Sequence, residues 1–339
     1  MASEPGKTVL TVDNVTVELD RPHESTPLVT DVSFAVRRGE MVGMVGESGS
    51  GKSLTASAVA GLLPRGVRLA RGAVEIDGRA AGTDATARTR HDGVAMVFQN
   101  PMTSLNPSMR VGDQVAEAIR LRRPGTSRRD ARREAVEVLE RVEITRPAER
   151  ARQYPFEFSG GMRQRVMIAI SIAHRPSVLV ADEPTTALDV TVQRGVMDLL
   201  DRLRADMGLA VLLVSHDLAL VGERCDRLLV MYAGELVEQG ETENVLRRPL
   251  HPYVRALQRC TPEHAIAAGG LYSLPGRVPQ AGEVRTGCRF AARCELRTAE
   301  CDETHPTLDA YAPGHLVRCV HVGRPEQDHH HERRAEGGV

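Results

Sequence analysis

The stretch GESGSGKS, Gly46–Ser53, has the spacing of a phosphate-binding loop, with Gly46, Gly51, Lys52 and Ser53 in the required places. A triphosphate carries dense negative charge and needs many donors at short range. Gly46, Gly49 and Gly51 let successive backbone N–H groups, those of Ser48 and Ser50 included, turn toward phosphate oxygens. Lys52 can reach the β- and γ-phosphates, and the Ser53 hydroxyl can ligate Mg²⁺. MVGMV (Met41–Val45) reads as a buried strand before the loop. SLTASAVAGLL (Ser53–Leu63) reads as a helix after it, with its N-terminus facing the phosphates. That context separates a nucleotide site from a chance Gly/Ser turn.

Two further groups of residues carry chemistry. Ser159-Gly160-Gly161 opens a helical pattern and offers a second anion-binding end, more than 100 residues from the first. Cys288, Cys294, Cys301 and Cys319 form C-x₅-C-x₆-C-x₁₇-C. Four thiolates gathered together can hold a soft metal centre. The spacing is too wide for the usual C-x₂₋₄-C zinc pairs. A cytosolic chain disfavours disulfides, and buried inert thiols are the plain alternative.

The elements that must position these residues are legible in the pattern. VLTVDNVTVEL (Val9–Leu19), LVTDVSFAV (Leu28–Val36) and GAVEIDG (Gly72–Gly78) read as strands of an antiparallel sheet beside the nucleotide core. VAMVFQN (Val94–Asn100), PSVLVADEP (Pro176–Pro184) and LAVLLVSHD (Leu209–Asp217) are apolar runs that end in polar residues. Strands alternating with helices, polar at their ends, give an α/β core with its site along that edge. Residues 111–142 are helical in pattern, interrupted by RRPGTSRR. RLLVMYAGELVEQG reads as a hairpin around Ala233-Gly234, and LRRPLHPYVRAL as an amphipathic helical transition. Beyond it Pro, Gly and Cys become frequent and periodicity fades.

These patterns set expected boundaries: an ATPase unit over 1–250 with a helical subdomain near 100–170, an accessory region over 251–324, and a disordered tail over 325–339 that includes His329–His331. The 339 residues carry a net charge of −1, no Trp and 3% aromatics, which argues against a nucleic-acid partner. Only Lys7 and Lys52 are lysines. Neither a signal-peptide pattern nor an apolar run of the roughly 20 residues a membrane helix needs is present, so a soluble, cytoplasmic chain is expected.

The segment FSGGMRQRVMIAISIAHRPSVLVADEPTTALD, Phe158–Asp189, taken with the phosphate loop, resembles the ATP-binding subunits of ABC transporters over residues 9–240. The resemblance implies an ABC-type P-loop NTPase core with an antiparallel β subdomain, a helical subdomain and a small C-terminal Cys-containing region. It implies that Lys52 and Ser53 hold phosphate and Mg²⁺. Gln99 then senses γ-phosphate and metal, Asp182 supports Mg²⁺, and Glu183 is the general base for the attacking water. His216 contacts the γ-phosphate. Ser159, Gly160 and Gly161 close over the ATP of a facing subunit, and Asp189 crosses the seam. Leu19 stands where many members stack an aromatic residue on adenine, which implies looser base discrimination; His23 is a nearby substitute.

NPMTSLNP, GGMRQRVMIA, EPTTALDVT, HPYVRAL, LPGRVP and GCRFAARC together resemble the oligopeptide/dipeptide importer ATPases, over about residues 9–321. Some members carry a C-terminal [4Fe–4S] cluster, which implies the same on Cys288, Cys294, Cys301 and Cys319, with zinc or free thiols as alternatives. HPYVRAL and LPGRVP are expected to pack the tail against the core. The implied protein is an ATPase at the cytoplasmic face of the membrane, binding peripherally. Its implied partners are a second ATPase subunit (a heterodimer), two transmembrane permease subunits and an extracytoplasmic solute-binding protein. The rivals are a nickel or glycoside importer subunit, a soluble ABC ATPase of repair or translation, and a non-hydrolysing clamp. Missing coiled-coil insertions and a single ATPase unit weigh against the soluble class. Lys52 and Glu183 weigh against the clamp.

Overall fold

A computed structural model describes residues 6–20, 25–80, 93–99, 104–186, 188–261, 272–283 and 286–322. His23 and the tail expected over 325–339 lie outside the described residues.

The first strands, β1 (Thr8–Leu19) and β2 (Thr26–Arg37), pair antiparallel. With β4 (Val67–Ile76) and the short β5 (Arg79–Ala80) they form a sheet of order β2-β1-β4-β5. Between them run β3 (Met41–Val45) and α1 (Lys52–Val59), with the phosphate loop joining the two. The central sheet continues through β6 (Val94–Val97), β7 (Val178–Asp182), β8 (Ala210–Ser215), β9 (Arg227–Tyr232) and β10 (Glu235–Glu241). It ends in β11 (Asp309–Ala312) and β12 (His315–Val317), giving the order β11-β12-β10-β9-β3-β8-β7-β6. Strands β6, β7, β8, β3 and β9 are parallel; β9–β10 is the expected antiparallel hairpin.

The apolar runs are continuous because both sheet faces are covered. Side chains alternate between faces. Met41 and Val45 enter one buried cluster, and Val42 and Met44 enter the other. The second cluster joins the central sheet to α1 and the antiparallel sheet. The first joins it to the helices of the middle segment.

Those helices are α2 (Val111–Arg122), α3 (Arg128–Arg141), the single turn α4 (Pro147–Arg150) and α5 (Gly160–Ile172). The break between α2 and α3 falls within RRPGTSRR. Pro124-Gly125 cannot continue the helix, and Ser127 starts the next one by accepting the Asp130 N–H at 3.1 Å. α6 (Val190–Met207) and α7 (Leu218–Arg224) cover the sheet further on. Gly208 ends α6 in the left-handed conformation.

The segment LRRPLHPYVRAL divides into two helices, α8 (Thr242–Arg247) and α9 (Pro252–Arg259). Pro252 takes the first helical position, where its missing N–H costs nothing. The His251 Nδ1 caps α9 by accepting the Tyr253 N–H at 3.0 Å. Residues past 250 dock on the same sheet. β12 pairs with β10, and Phe290 and Leu274 join the first apolar cluster. A last short helix, α10, spans Ala299–Glu303.

Candidate functional site

The parallel neighbours β3, β8, β7 and β6 end along one edge, and each delivers a candidate residue there. β3 leads into the phosphate loop, β6 is followed by Gln99, β7 ends on Asp182, and β8 is followed by His216. Four segments far apart in sequence therefore converge through topology alone.

Within the loop, Gly46 passes so close to β9 that a Cβ would lie 2.2 Å from the Met231 carbonyl oxygen. Only glycine fits there. Gly49 and Gly51 both have positive φ, and Ser50 is fully buried. Lys52 Nζ donates to the carbonyls of Gly46 at 2.7 Å and Glu47 at 2.9 Å. Burial holds the Lys52 ammonium below its usual pKa, and the charges of Glu183, Asp182 and Glu47 pull it back up. Ser53 Oγ donates to Asp182 Oδ1 at 3.1 Å. Burial raises the Asp182 carboxyl pKa; the Ser53 hydrogen bond opposes this, Glu183 adds to it, and Lys52 opposes it.

Glu183 is the hub. It leaves β7 in a left-handed conformation, φ +46°, and its N–H donates to the Val214 carbonyl at 2.9 Å. A non-glycine residue in that conformation costs of order 1–3 kcal/mol and persists where its surroundings demand it. Its Oε2 accepts from Gln99 Nε2 at 2.8 Å and from the Thr186 hydroxyl at 2.9 Å. Its Oε1 lies 3.2 Å from His216 Nδ1. Gln99, Thr186 and His216 thus surround Glu183, Ser53 pairs with the preceding Asp182, and Lys52 is held on carbonyls of the loop. Sequence reading missed Thr186; it sits in the quoted EPTTALD run, three residues from the hub, and that spacing was the available signal.

The residues expected to act across a subunit seam are arranged separately. Ser159 caps α5, accepting the Met162 N–H at 3.4 Å, and Asp189 caps α6, accepting the Val192 N–H at 3.0 Å. The two helix starts touch: a Cβ on Gly161 would lie 2.4 Å from Val192, and one on Gly160 would lie 3.5 Å from Leu188. Among the described residues, no hydrogen bond joins Ser159, Gly160 or Gly161 to the phosphate loop of this chain. Leu19 ends β1, half-buried and paired with Thr26 and Val67.

The iron–sulfur expectation is overturned. Among the described residues, no group of three or more His, Cys, Asp or Glu is placed to hold a metal ion. Burial pushes the Cys288 and Cys294 thiols up to about 11 and raises Cys319 too. Cys301 Sγ lies 3.3 Å from His321 Nε2 and 3.5 Å from the Thr298 hydroxyl. All four cysteines are free thiols, without disulfides.

Comparison with known proteins agrees with the geometry. Residues 29–186 match the ABC transporter family, and residues 237–301 match the oligopeptide/dipeptide transporter C-terminal region. The chain is 41% identical to the oligopeptide transport ATP-binding protein OppD of Salmonella typhimurium, over 94% of this chain and 95% of the relative. It is 42% identical to the dipeptide transport ATP-binding protein DppD of Escherichia coli, over 94% and 99% respectively. Among solved structures it resembles the ATP-binding cassette MJ0796, a dimer in a post-hydrolysis state bound to ADP and Pi. That match has a TM-score of 0.59 and 29% identity, covering 69% of this chain and 98% of the other.

Proposed function

The chain belongs to the ATP-binding subunits of ABC importers of the oligopeptide/dipeptide family, and on that footing we propose that it powers peptide import through a separate membrane permease. It is an ABC-type ATPase, and the reaction is ATP + H₂O → ADP + Pi. The observation that carries the reading is the Glu183 carboxylate, held by Gln99, Thr186 and His216 beside the Ser53–Asp182 pair.

Phosphate-loop amides and Lys52 bind the β- and γ-phosphates. Ser53, Asp182 and Gln99 offer hard oxygens that suit Mg²⁺, which when bound would neutralise charge on those phosphates. This donor set needs no cluster of His or Cys. Glu183 orients the attacking water and takes its proton. Gln99 and Thr186 hold one carboxylate oxygen, which leaves the other toward His216 and the water. Ser159, Gly160, Gly161 and Asp189 serve the ATP of a facing subunit. Their separation from this chain's own loop supports that assignment, as do the dimeric MJ0796 and the 77% exposure of Val190 beside Asp189.

Among the described residues no helix is long and apolar enough to cross a membrane, which supports a pore made by other chains. Phe98, next to Gln99, and Phe156 are exposed aromatics at 43% and 66%. They support a permease docking on the cytoplasmic face near Gln99, where closure at the γ-phosphate is passed to the membrane. Residues 1–250 form the hydrolytic unit in this reading and 251–324 the accessory region. An external solute-binding protein delivers the peptide.

Labelled-ATP binding tests the site. Lys52→Ala in the folded chain is expected to lose useful Mg-ATP affinity, and unchanged affinity would remove Lys52 from the phosphate site. Purification with the membrane and solute-binding partners, followed by identification of bound solute, tests the peptide assignment; a nickel complex or glycoside would replace it.

A further inference from the structure

We propose that the C-terminal segment Cys288–Cys294 is a brace that sets the phosphate loop, with Arg293 and Arg289 as positioning residues for ATP binding. The proposal rests on the ATPase reading and adds residues about 240 positions away in sequence from the loop they hold.

Glu47 lies inside the phosphate loop, and all three of its polar groups are occupied. Its carbonyl accepts Lys52 Nζ at 2.9 Å. Its N–H donates to the Tyr253 hydroxyl at 2.9 Å. Its carboxylate accepts both terminal nitrogens of Arg293, at 2.6 and 3.0 Å. Bidentate pairing of this kind fixes orientation as well as distance. The Arg293 side chain is 6% exposed, and its remaining donors reach the carbonyls of Pro275 and Leu274 and the Tyr232 hydroxyl. The guanidinium therefore has one available position, and that position dictates where Glu47 sits. Because Lys52 is anchored on the Glu47 carbonyl, the ammonium that meets phosphate is placed by the same chain of contacts.

Arg289 holds the loop by a second route. It donates to the Ala233 carbonyl at 2.5 Å and the Thr30 hydroxyl at 3.1 Å, and pairs with buried Glu235 at 3.0 Å. This fixes the Ala233-Gly234 turn, whose Gly234 N–H donates to the Ser50 carbonyl at 2.9 Å. Between the two arginines, Phe290 packs edge-on against Tyr232, with centroids 5.1 Å apart, and against Tyr253 at 5.4 Å. One short segment thus reaches both Glu47 and Ser50. A phosphate cradle made of backbone donors works only while the backbone is held in place.

The test is a double-mutant cycle on Mg-ATP affinity in the full chain with its partner subunits. Arg293→Ala and Glu47→Ala are each expected to weaken ATP binding about tenfold, a coupling within the usual range for residues in contact. The double variant is expected to bind no more weakly than either single one, and Arg293→Lys to recover part of the loss. Reciprocity supplies a second readout: ATP must slow hydrogen exchange of residues 288–294, and Glu47→Ala must reduce that protection at Arg293, the Arg289 route remaining in place. If Arg293→Ala fails to fold, this exchange measurement on Glu47→Ala decides alone. Multiplying losses in the double variant, unchanged affinity in folded Arg293→Ala, or ATP protection at Arg293 that Glu47→Ala leaves undiminished would overturn the brace. Failure of the unmodified chain to bind ATP would instead sink the ATPase reading.

Discussion

Along β8, Val211 and Leu213 fill one apolar core while Leu212 and Val214 fill the other, whereas the C-terminal segment docks on β10 through two buried carboxylates, Glu235 and Glu238. Glu238 accepts the N–H groups of Leu250 at 3.0 Å and His251 at 2.7 Å, and faces His315 Nε2 at 2.8 Å. Glu235 meets Arg289 at 3.0 Å and His305 at 3.1 Å. Apolar burial is non-directional and tolerates exchange of similar shapes. A buried carboxylate is directional: it holds when every partner is present and is costly when one is lost. The core is therefore stabilised by area, and the C-terminal segment adds directional polar pairing to the apolar contacts of Phe290 and Leu274.

The largest expected effect breaks that pairing. Glu238→Ala strands His315 and two backbone N–H groups, at a cost of about 3–5 kcal/mol. Limited proteolysis is expected to cut within 286–322 before the core opens. Simultaneous loss of core and segment would show that they are not held separately. Acid gives a graded version of the same contrast. His251 is 1% exposed, and burial depresses its pKa to about 3. The unfolded chain therefore takes up this proton first, so stability rises with pH across this window. The contribution is present above about pH 6.5 and is lost toward pH 3, at ~1.4 kcal/mol per pH unit. Thermal melting against pH is expected to flatten below about pH 6.5 in His251→Asn relative to the unmodified chain; parallel curves would contradict this. The smallest effect belongs to the core. Leu212→Met keeps volume and is expected to cost under about 1.5 kcal/mol in denaturant unfolding, spread over the whole chain.

The same division decides what was legible in the sequence. The strand Met41–Val45 is found as expected, because a buried parallel strand prints a continuous apolar run. The Ala233-Gly234 hairpin was readable from its turn, and the Ser159 helix start from its Ser-Gly-Gly. Gln99, Asp182 and His216 were readable as neighbours because each stands at the end of an apolar run along the same sheet edge. The C-terminal segment was not legible in this way. Its docking depends on Glu235, Glu238, Arg289 and Arg293, and no periodicity marks a charge that is to be buried. GCRFAARC drew attention to its cysteines, yet its arginines make the contacts to the core. The four thiols and the importer resemblance suggested a metal centre; among the described residues no group of three or more ligating side chains is placed to hold one, and spacing does not encode that placement.

In the proposed reaction Glu183 activates water in a site completed by a second subunit. Single-turnover hydrolysis in the assembled importer, with the partner's site disabled, tests it most directly. Glu183→Gln keeps the hydrogen bonds to Gln99 and Thr186 within reach but removes the base. ATP is expected to stay bound while the hydrolysis rate falls by a factor of about 10²–10⁴. A Glu183→Gln rate equal to that of the unmodified subunit would contradict it.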